Sequence, residues 1–563
     1  MKRWCLCLLI LVALLAGCSD LAQLIPSGET TEEPVAWVPP EEQTTYPPQM
    51  STAARILARG EIVVGVRYDL EPFSYITADS QLAGLEIDLA RELARRWLGS
   101  ADAIRFRQVR SDTAYQYVSE GTVDLVFAGL AHTQDAEARA DFSPAYFDNG
   151  MALLTFPDTG IQGLAELSDR RVGILGWTAS GAALSASTVS TPTVTTYDHY
   201  FDVVAGLRMR EVDAYADQYH RLERARRTIA GTTIVGKWTS EPVAMIFRQD
   251  DPFLYNLVQL TFRDMAADGT RDALFARWLP GTSPSSLPAL PGSAAPPQLA
   301  EAPQQVSTLD VVARVRDRKV LAVGYFPDLW PYTADRADGV PTGFVLRLVE
   351  RMAELWLGST SSVSFVPVSD AQDARNRLDR GDVDLLAGNW VHTRDAELGN
   401  DFSIPFLDDG VSIMSLAASS FTELGQLSGQ PVGVVAGSAA EVAVPALSQG
   451  TGLSSVGYPS FADALAALQS GEVVALLTER QPALEVHFRE TGFAVSDRRF
   501  TTRPVAFVLP EGDSDFRDLV SLTLMALEAQ GIYQELYSLW FDDAVPQLQS
   551  LPGHAATSLS VGQ

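Results

Sequence analysis

Two histidines begin nearly identical twelve-residue segments, HTQDAEARADFS at 132–143 and HTRDAELGNDFS at 392–403. Imidazole binds metal ions and exchanges protons near neutral pH, so His132 and His392 are candidates for chemistry. No second histidine or cysteine accompanies either one at a metal-ligand spacing. A threonine follows each histidine and acidic residues come next, a pattern typical of a capped helix start. The pattern therefore favours a structural role over a metal site.

The repeated segment is part of a longer duplication. The two segments begin at residues 132 and 392, a spacing far beyond the roughly 20 to 50 residues of solenoid and propeller repeats. This spacing indicates two whole copies of a domain. The other matching pairs are VVGVRYDLEPFSY (63–75) with AVGYFPDLWPYTA (322–334), GLEIDLARELARRWLGS with GFVLRLVERMAELWLGS, and LAELSDRRVGIL (164–175) with LGQLSGQPVGVV (424–435).

Short apolar strands and amphipathic helices alternate within each copy. EIVVGV is β-branched and short, and after a turn Leu85, Leu89, Leu93 and Trp97 follow at helical spacing. The segments VDLVFAGL, RRVGILG and EPVAMIF repeat the strand pattern between helical stretches. This alternation predicts the α/β class with mostly parallel sheets.

Composition limits the possible partners. The chain has 563 residues, 46% of them hydrophobic and 20% charged, and its formal net charge is −28. Such a charge repels nucleic acid phosphates, and no basic stripe offsets it. The three cysteines are Cys5, Cys7 and Cys18, so we expect no disulfide and no cysteine-based metal site in the folded domains. We expect no cofactor.

The N-terminus has the pattern of a secretory signal. Lys2 and Arg3 precede an apolar run of about twelve residues, which is too short to span a membrane. LAGC at 15–18 resembles the lipobox of bacterial lipoproteins, which implies acylation of Cys18 and a lipid anchor; the alternative is an ordinary signal peptide. The predicted segments are a signal peptide (1–18), a flexible linker (19–50), domain 1 (51–282), a Pro-rich linker (283–305), domain 2 (306–543) and a tail (544–563).

Each copy resembles the extracytoplasmic solute-binding proteins of family 3, the amino-acid-binding type, over its full length. The resemblance rests on VGV…PF, GLEIDL, GTVDLVFAG…HT…DFSPAYF, LSDRRVGIL, EVDAYAD and DG…ARWLPG in this order. It implies two tandem two-lobed clamshells of the type II periplasmic-binding-protein kind, with the ligand in a cleft that closes around it. It also implies crossover strands near 146–156 and 241–249.

The family's arginine for the ligand carboxylate maps to Ala136 and Ala396, so neither copy has it. An unpaired carboxylate in a closed cleft costs about 3 to 5 kcal/mol, which disfavours an α-amino acid held in the family's usual way. The open alternative is a compensating cation, for which Arg67 and Arg394 are the nearest candidates.

The family's aspartate for the ligand amino group maps to Asp217 and, in the second copy, to Glu479. Without an opposing arginine, such an acid favours an amine-bearing ligand; the alternative is a solvated turn residue. Thr178 and Ser438 map to the helix start that receives the ligand carboxylate, where they are equally well explained as helix caps.

The ligand-stacking aromatic of the family maps to Leu70 and Leu329, which makes one cleft wall aliphatic. Phe73 and Tyr332 flank the turn prolines, where packing is as good an explanation as ligand contact. The predicted ligand-binding set is Arg67, Leu70, Phe73, Gly129, Ala136, Thr178, Asp217, Leu329, Tyr332, Asn389, Ala396, Ser438 and Glu479.

The resemblance implies a lipid-anchored receptor that delivers small solutes to an ABC-type importer. The alternative is a sensing or scaffold module that works with a partner protein. Some family members are prephenate or arogenate dehydratases, but the missing arginine argues against that activity. No specific Ser-His-Asp, metal or phosphate motif occurs in the sequence, so we expect no enzyme.

Overall fold

Both copies show the predicted alternation of strands and helices in the computed structural model, which describes residues 47–187, 191–288, 290–541 and 544–552. The signal peptide, Cys18 and most of the first linker lie outside the described residues. The strands of the first copy are β1 (Ile62–Val66), β2 (Asp69–Leu70), β3 (Ser74–Ile76), β4 (Leu82–Ala83), β5 (Ile104–Gln108), β6 (Leu125–Ala131), β7 (Asp141–Phe142), β8 (Phe147–Asp148), β9 (Met151–Thr155), β10 (Arg171–Leu175), β11 (Thr193–Tyr197), β12 (Ala214–Gln218), β13 (Thr233–Val235) and β14 (Pro242–Phe247). Its helices are α1 (Thr52–Arg59), α2 (Leu85–Leu98), α3 (Ala114–Ser119), α4 (Gln134–Glu137), α5 (Ser180–Ser187), α6 (Tyr200–Arg208), α7 (Tyr219–Thr228), α8 (Pro252–Ala267) and α9 (Thr270–Trp278).

The second copy repeats this order. Its strands are β15 (Leu321–Tyr325), β16 (Asp328–Leu329), β17 (Thr333–Asp335), β18 (Pro341–Thr342), β19 (Val363–Pro367), β20 (Leu385–Ala387), β21 (Asp401–Phe402), β22 (Leu407–Asp408), β23 (Val411–Leu416), β24 (Pro431–Val435), β25 (Ser454–Tyr458), β26 (Ala475–Glu479), β27 (Phe493–Val495), β28 (Pro504–Val505) and β29 (Val508–Leu509). Its helices are α10 (Val311–Arg318), α11 (Phe344–Leu357), α12 (Ala371–Asp379), α13 (Arg394–Glu397), α14 (Ala439–Leu447), α15 (Phe461–Ser470), α16 (Arg480–Arg489), α17 (Ser514–Ala529) and α18 (Ile532–Trp540). Short 3-10 turns span Pro157–Thr159, Leu164–Leu167, Leu299–Glu301, Ala417–Ser419 and Leu424–Leu427.

Each copy has two main sheets and one three-stranded sheet, and the second copy has a further strand pair, β22-β28. In the first copy the sheet orders are β5-β1-β6-β14-β7, with β8 also on β14, and β11-β10-β12-β9-β13. The second copy has the orders β19-β15-β20-β29-β21 and β25-β24-β26-β23-β27. β1 runs parallel to β5 and β6, and the returning strand β14 is antiparallel to β6. All five residues of β1 are buried, as expected for a central parallel strand covered on both faces.

The chain passes between the two sheets twice in each copy. In the first copy it leaves the first sheet after β8 and enters the second at β9, and it returns between β13 and β14. These are the crossovers predicted near 146–156 and 241–249. A cleft therefore lies between two lobes that are joined by two connections, and the second copy repeats the arrangement with β22, β23, β27 and β28.

In each copy a glycine at the start of the first lobe's long helix, Gly84 or Gly343, allows a small three-stranded sheet to pack closely against that helix. Both have positive φ angles, +132° and +126°. A Cβ atom on Gly84 would lie 2.0 Å from the carbonyl oxygen of Phe73, and one on Gly343 would lie 2.3 Å from that of Tyr332. Only glycine fits where a backbone approaches this closely.

We expect Gly84→Ala to lower the free energy of unfolding by about 3 kcal/mol or more, because backbone clash and strained φ add. Gly99→Ala is the matched control: its φ is +80°, but no atom lies within 4 Å of the added Cβ, so we expect a loss of only about 1 kcal/mol. Urea unfolding measures both. Equal losses in the two variants would show that the close approach to Phe73 is wrong.

The two copies contact each other through their first lobes. Arg517 of α17 donates to Asp141 of β7, and Asn256 of α8 donates to Glu511 at 3.3 Å. The Pro-rich linker and the tail also join this contact. The backbone N–H of Arg394 donates to Pro291 at 2.7 Å, and that of Gln134 donates to Pro552 at 3.0 Å. Residues 553–563 of the predicted tail lie outside the described residues.

Candidate functional site

Asp217 lies where β12 ends, on the second lobe of the first copy, and its side chain is fully buried. One carboxylate oxygen accepts from the hydroxyl of Ser180 at 3.1 Å, from the backbone N–H of Gln218 at 2.7 Å and from Arg221 at 3.0 Å. The other oxygen accepts from the hydroxyl of Tyr215. Asp217 is therefore a buried carboxylate that accepts hydrogen bonds at both oxygens, and it is not a solvated turn residue.

Arg221 is the cation that the sequence interpretation missed. It lies one turn into α7, four residues after Asp217, and it also donates to the side-chain oxygen of Gln218 at 2.7 Å. Its guanidinium stacks on the ring of Trp177 at 5.1 Å, and that ring is 62% exposed. The sequence does contain this signal, because α7 begins two residues after Asp217 and Arg221 in its first turn is close enough to pair with that aspartate. The sequence interpretation considered only the opposing arginine of the first lobe, and the amine-bearing ligand that it favours stays a prediction.

The two cations proposed from the sequence do not take this role. Arg67 donates both of its forked N–H groups to the neighbouring Asp69, at 2.9 and 3.0 Å. The proposal of Arg394 as a compensating cation for the second cleft was wrong: it donates to Asp264 of the first copy at 2.6 Å and to the carbonyl of Ala294 in the linker at 2.7 Å. Docking of one copy on the other places it there, and a single copy's motif does not predict docking.

Apolar packing surrounds the positions of the missing arginine. Ala136 is buried in a cluster that includes Val109 and Phe142. Ala396 is partly buried against Phe326 and Trp390, whose rings lie 5.4 Å apart. Neither environment offers a charge to a ligand carboxylate.

Leu70, which stands where the family has its ligand-stacking aromatic, packs against Gly129. Leu70 is 9% exposed, and a Cβ on Gly129 would lie 2.5 Å from its side chain. The N–H of Gly129 donates to the buried carboxylate of Glu86 at 2.8 Å. Ser74 and Tyr146 donate to the same carboxylate, and burial raises its pKa. Glu86 is a positioning residue that the sequence interpretation did not select.

Phe73 and Tyr332 take the packing alternative. Phe73 is 1% exposed and meets Phe147 edge-on at 5.0 Å. Tyr332 is also 1% exposed, and its hydroxyl donates to Asp409 at 3.0 Å. Both rings belong to core clusters, which favours packing, and their place in the ligand-binding set stays a prediction. Leu329 and Asn389 are half-buried.

The helix starts of the second lobes are capped by their own groups. Thr178 donates to the carbonyl of Leu175 at 2.9 Å, and Ser438 accepts from the N–H of Glu441 at 3.1 Å. Glu479 accepts from the first N–H of α14, at Ala439, at 2.7 Å and pairs with Arg503 at 3.2 Å. The first copy thus has the Asp217–Arg221 pair at this place, and the second copy has the Glu479–Arg503 pair.

Protein groups bridge both clefts. In the first copy Glu71 pairs with Arg224 of α7 at 3.3 Å, with both side chains about one-third exposed. In the second copy Gln481 of α16 donates to the carbonyl of Trp330 at 2.7 Å. The first bridge is a weak surface pair, whereas the second is a part-buried hydrogen bond.

Thr133 and Thr393 cap the helix starts of the repeated segment, as predicted, and each histidine bonds within its own copy. His132 bonds to Glu137 and stacks on Phe142 at 4.2 Å, and His392 repeats this with Glu397 and Phe402 at 4.4 Å. Across the described ranges, no group of three or more His, Cys, Asp or Glu side chains is placed to hold a metal ion.

Asp409 gives the second copy a pH-dependent contribution to stability at a position where the first copy has no titratable side chain. Burial raises its pKa to about 6 despite the nearby Arg503, and Asn149 is its counterpart in the first copy. Because the folded pKa lies above the unfolded value of about 3.9, the stabilising contribution is complete below about pH 3.9. It is lost as pH rises through about 6.

We therefore expect the free energy of unfolding of the wild type to fall by about 3 kcal/mol between pH 4 and pH 7 because of Asp409. The Asp409→Asn variant should lack this fall. Asparagine keeps an oxygen for the N–H of Gln481 and the hydroxyl of Tyr332. Urea unfolding at several pH values measures the difference between wild type and variant. A difference that stays constant over this range would contradict the assignment to Asp409.

The two-lobed copies, each with a polar cleft between sheets, define a tandem cleft-binding protein. The chain belongs to the bacterial extracellular solute-binding proteins, family 3, whose model matches residues 62–281 and 321–543. None of the helices in the described part of the chain has the length and apolar character needed to cross a bilayer.

Several known proteins are similar to this chain. The glutamine-binding protein of Geobacillus stearothermophilus is 27% identical over 37% of this chain and 75% of its own length. The ABC transporter glutamine-binding protein GlnH of Bacillus subtilis is 23% identical over 48% of this chain and 94% of its own. A solved polar amino acid ABC uptake transporter substrate-binding protein from Streptococcus thermophilus is 19% identical, with a TM-score of 0.38, over 42% of this chain and 92% of its own.

Proposed function

We propose that this chain is a lipid-anchored, extracytoplasmic receptor that delivers amino-acid-like or amine-bearing solutes to an ABC-type importer, without catalysis of its own. Relatives such as the L-cystine-binding protein TcyJ of Escherichia coli, 24% identical over 84% of its length, support a receptor for small amino-acid-like ligands. The lipobox at 15–18 supports the anchor. Replacing Cys18 by alanine should release the protein from membranes, which fractionation measures.

The observation that carries the proposal is the Asp217–Arg221 pair in the first cleft. It presents a buried carboxylate and a guanidinium that is 23% exposed on the same wall. A zwitterionic solute can place its ammonium on Asp217 and its carboxylate on Arg221, so that both charges stay paired. The charged contacts to the solute then come from the second lobe. They replace the family's first-lobe arginine, which is alanine in both copies (Ala136 and Ala396).

A thermal-shift screen of the full chain tests the proposal. The probes are the twenty standard amino acids and 1,4-diaminobutane, each at millimolar concentration. We expect at least one zwitterion to raise the melting temperature by several degrees, since a ligand at 100 times its Kd adds about 2.7 kcal/mol. Asp217→Asn should remove that shift. No shift with any probe would contradict the receptor function.

The second candidate is a sensing or scaffold role for the second copy. The Gln481–Trp330 hydrogen bond joins its two lobes through protein groups alone, and Glu479 already accepts from both Arg503 and a helix N–H. Such a cleft gains little from a solute. A variant with Glu479→Gln that keeps the full thermal shift would support this division of roles.

A further inference from the structure

A cavity of about 560 Å³ lies between the two copies. Its walls come from α8 of the first copy, α17 of the second, the Pro-rich linker and residues 549–551 of the tail. Pockets of about 300 to 1,000 Å³ commonly hold small molecules. None of Asp217, Arg221, Glu479 and Arg503 lines it, so it is separate from both clefts.

Asp518 is the unusual group in this cavity. It is 8% exposed, and one of its carboxylate oxygens has no hydrogen-bond partner among the residues that the structure describes. The other accepts only a long contact of 3.4 Å from Arg517, which is already committed to Asp141. Because a buried carboxylate without a partner is costly in its charged form, burial raises the pKa of Asp518, and a bound cation would supply the partner that the charged form lacks.

The charged side chains around Asp518 do not give its carboxylate a positively charged partner of its own. Glu137 lines the same cavity, and its negative charge adds to burial in raising the pKa of Asp518. One oxygen of Glu137 bonds to His132. Arg263, the other arginine of the lining, donates to the backbone and side-chain oxygens of Gln259 at 3.1 and 2.9 Å, and burial lowers its pKa.

The rest of the wall suits an organic cation. Tyr255 stacks on Arg517 at 4.2 Å, and Leu522 and Met525 supply apolar surface. Aromatic and aliphatic surface beside a carboxylate is the environment that binds ammonium groups on carbon chains. Within the described residues no three-ligand set for a metal ion occurs, so an organic cation fits better than a metal.

We propose that the cavity between the copies is a second binding site, for a small organic cation bearing an ammonium group, with Asp518 as its anchor. Because α8 and α17 both line it, the site exists only while the two copies are docked. It is independent of the cleft site of the proposed function.

Isothermal titration of the full chain with 1,4-diaminobutane tests this site, with 1,4-butanediol as the uncharged probe. We expect the diamine to bind and the diol not to bind. Asp518→Asn should weaken diamine binding at least tenfold. Asp515→Asn is the matched control, since it removes the same charge from the same helix at an exposed position outside the lining, and we expect it to change affinity less than twofold.

Leu287→Trp provides a second route if Asp518→Asn does not fold. Leu287 lines the cavity from the linker, so the larger ring fills the space without altering either core, and it should also weaken binding at least tenfold. No diamine binding, or equal affinity in wild type and Leu287→Trp, would overturn the proposal. A loss in Asp217→Asn together with no loss in Asp518→Asn would place the diamine in the cleft and also overturn it.

Discussion

Replacing Arg517 by alanine is expected to lower the free energy of unfolding by about 3 to 5 kcal/mol, because it leaves a buried carboxylate without its charge partner. Arg517 and Asp141 come from different copies, and their side chains are 7% and 1% exposed. Ser514 also donates to Asp141 at 3.1 Å, but a hydroxyl does not replace the lost positive charge. Replacing Asp141 by alanine should lower the free energy of unfolding by a similar amount, because the buried guanidinium of Arg517 then loses its main charge partner.

The two variants and their double form a cycle that isolates the pair. We expect the double variant to lose much less than the sum of the two single losses, which corresponds to a coupling energy of about 2 kcal/mol or more. Arg380→Ala is the control: its partner is Asp382, both side chains are about half exposed, and the expected loss is below about 1 kcal/mol. Guanidinium unfolding, followed by tryptophan fluorescence, measures all four. Additive losses near 1 kcal/mol would show that the copies are not joined through this pair.

Replacing Arg221 by alanine is expected to weaken binding of the stabilising zwitterion more than a hundredfold, which corresponds to about 3 kcal/mol. The change removes the only arginine bonded to Asp217 among the described contacts, while Ser180, Tyr215 and the N–H of Gln218 keep that carboxylate hydrogen-bonded. The fold should therefore survive while the grip on the solute carboxylate is lost. Isothermal titration measures the change.

Arg226→Ala is the matched control for this prediction. It lies on the same helix, and its side chain, about one-third exposed, pairs with Glu223 instead of Asp217. We expect its affinity to remain within twofold of wild type. If Arg226→Ala and Arg221→Ala weaken binding equally, the general positive charge of α7 acts on the solute and no specific contact does.

The sequence predicted the α/β class and the duplication because these depend on local periodicity and on repeated motifs, and the family resemblance implied both crossovers. The second lobe's acid was also placed correctly at the end of β12. The partner of Asp217 was missed, although Arg221 follows it by one helical turn. Comparison with the family directed attention to the first lobe, where the usual arginine is absent.

Other parts of the site depend on contacts that no single copy encodes. Arg394 bonds to Asp264 and the linker because the copies dock, and docking is not a property of the motif. Phe73 and Tyr332 lie next to the turn prolines in sequence. The backbone of each residue packs closely against a helix-start glycine, Gly84 or Gly343, and both rings are buried. The partnerless oxygen of Asp518 likewise arises only where α17 meets the first copy.

Hydrogen–deuterium exchange on the full chain, with and without the stabilising zwitterion, tests the central claim most directly. The claim is that the first cleft closes on a solute held by its second lobe. We predict slower exchange at the start of α5 and at residues 217–221 when the solute is bound, with no change at residues 438–441 and 479–481 of the second copy. Protection confined to the second copy, or unchanged exchange in both clefts under saturating solute, would contradict it.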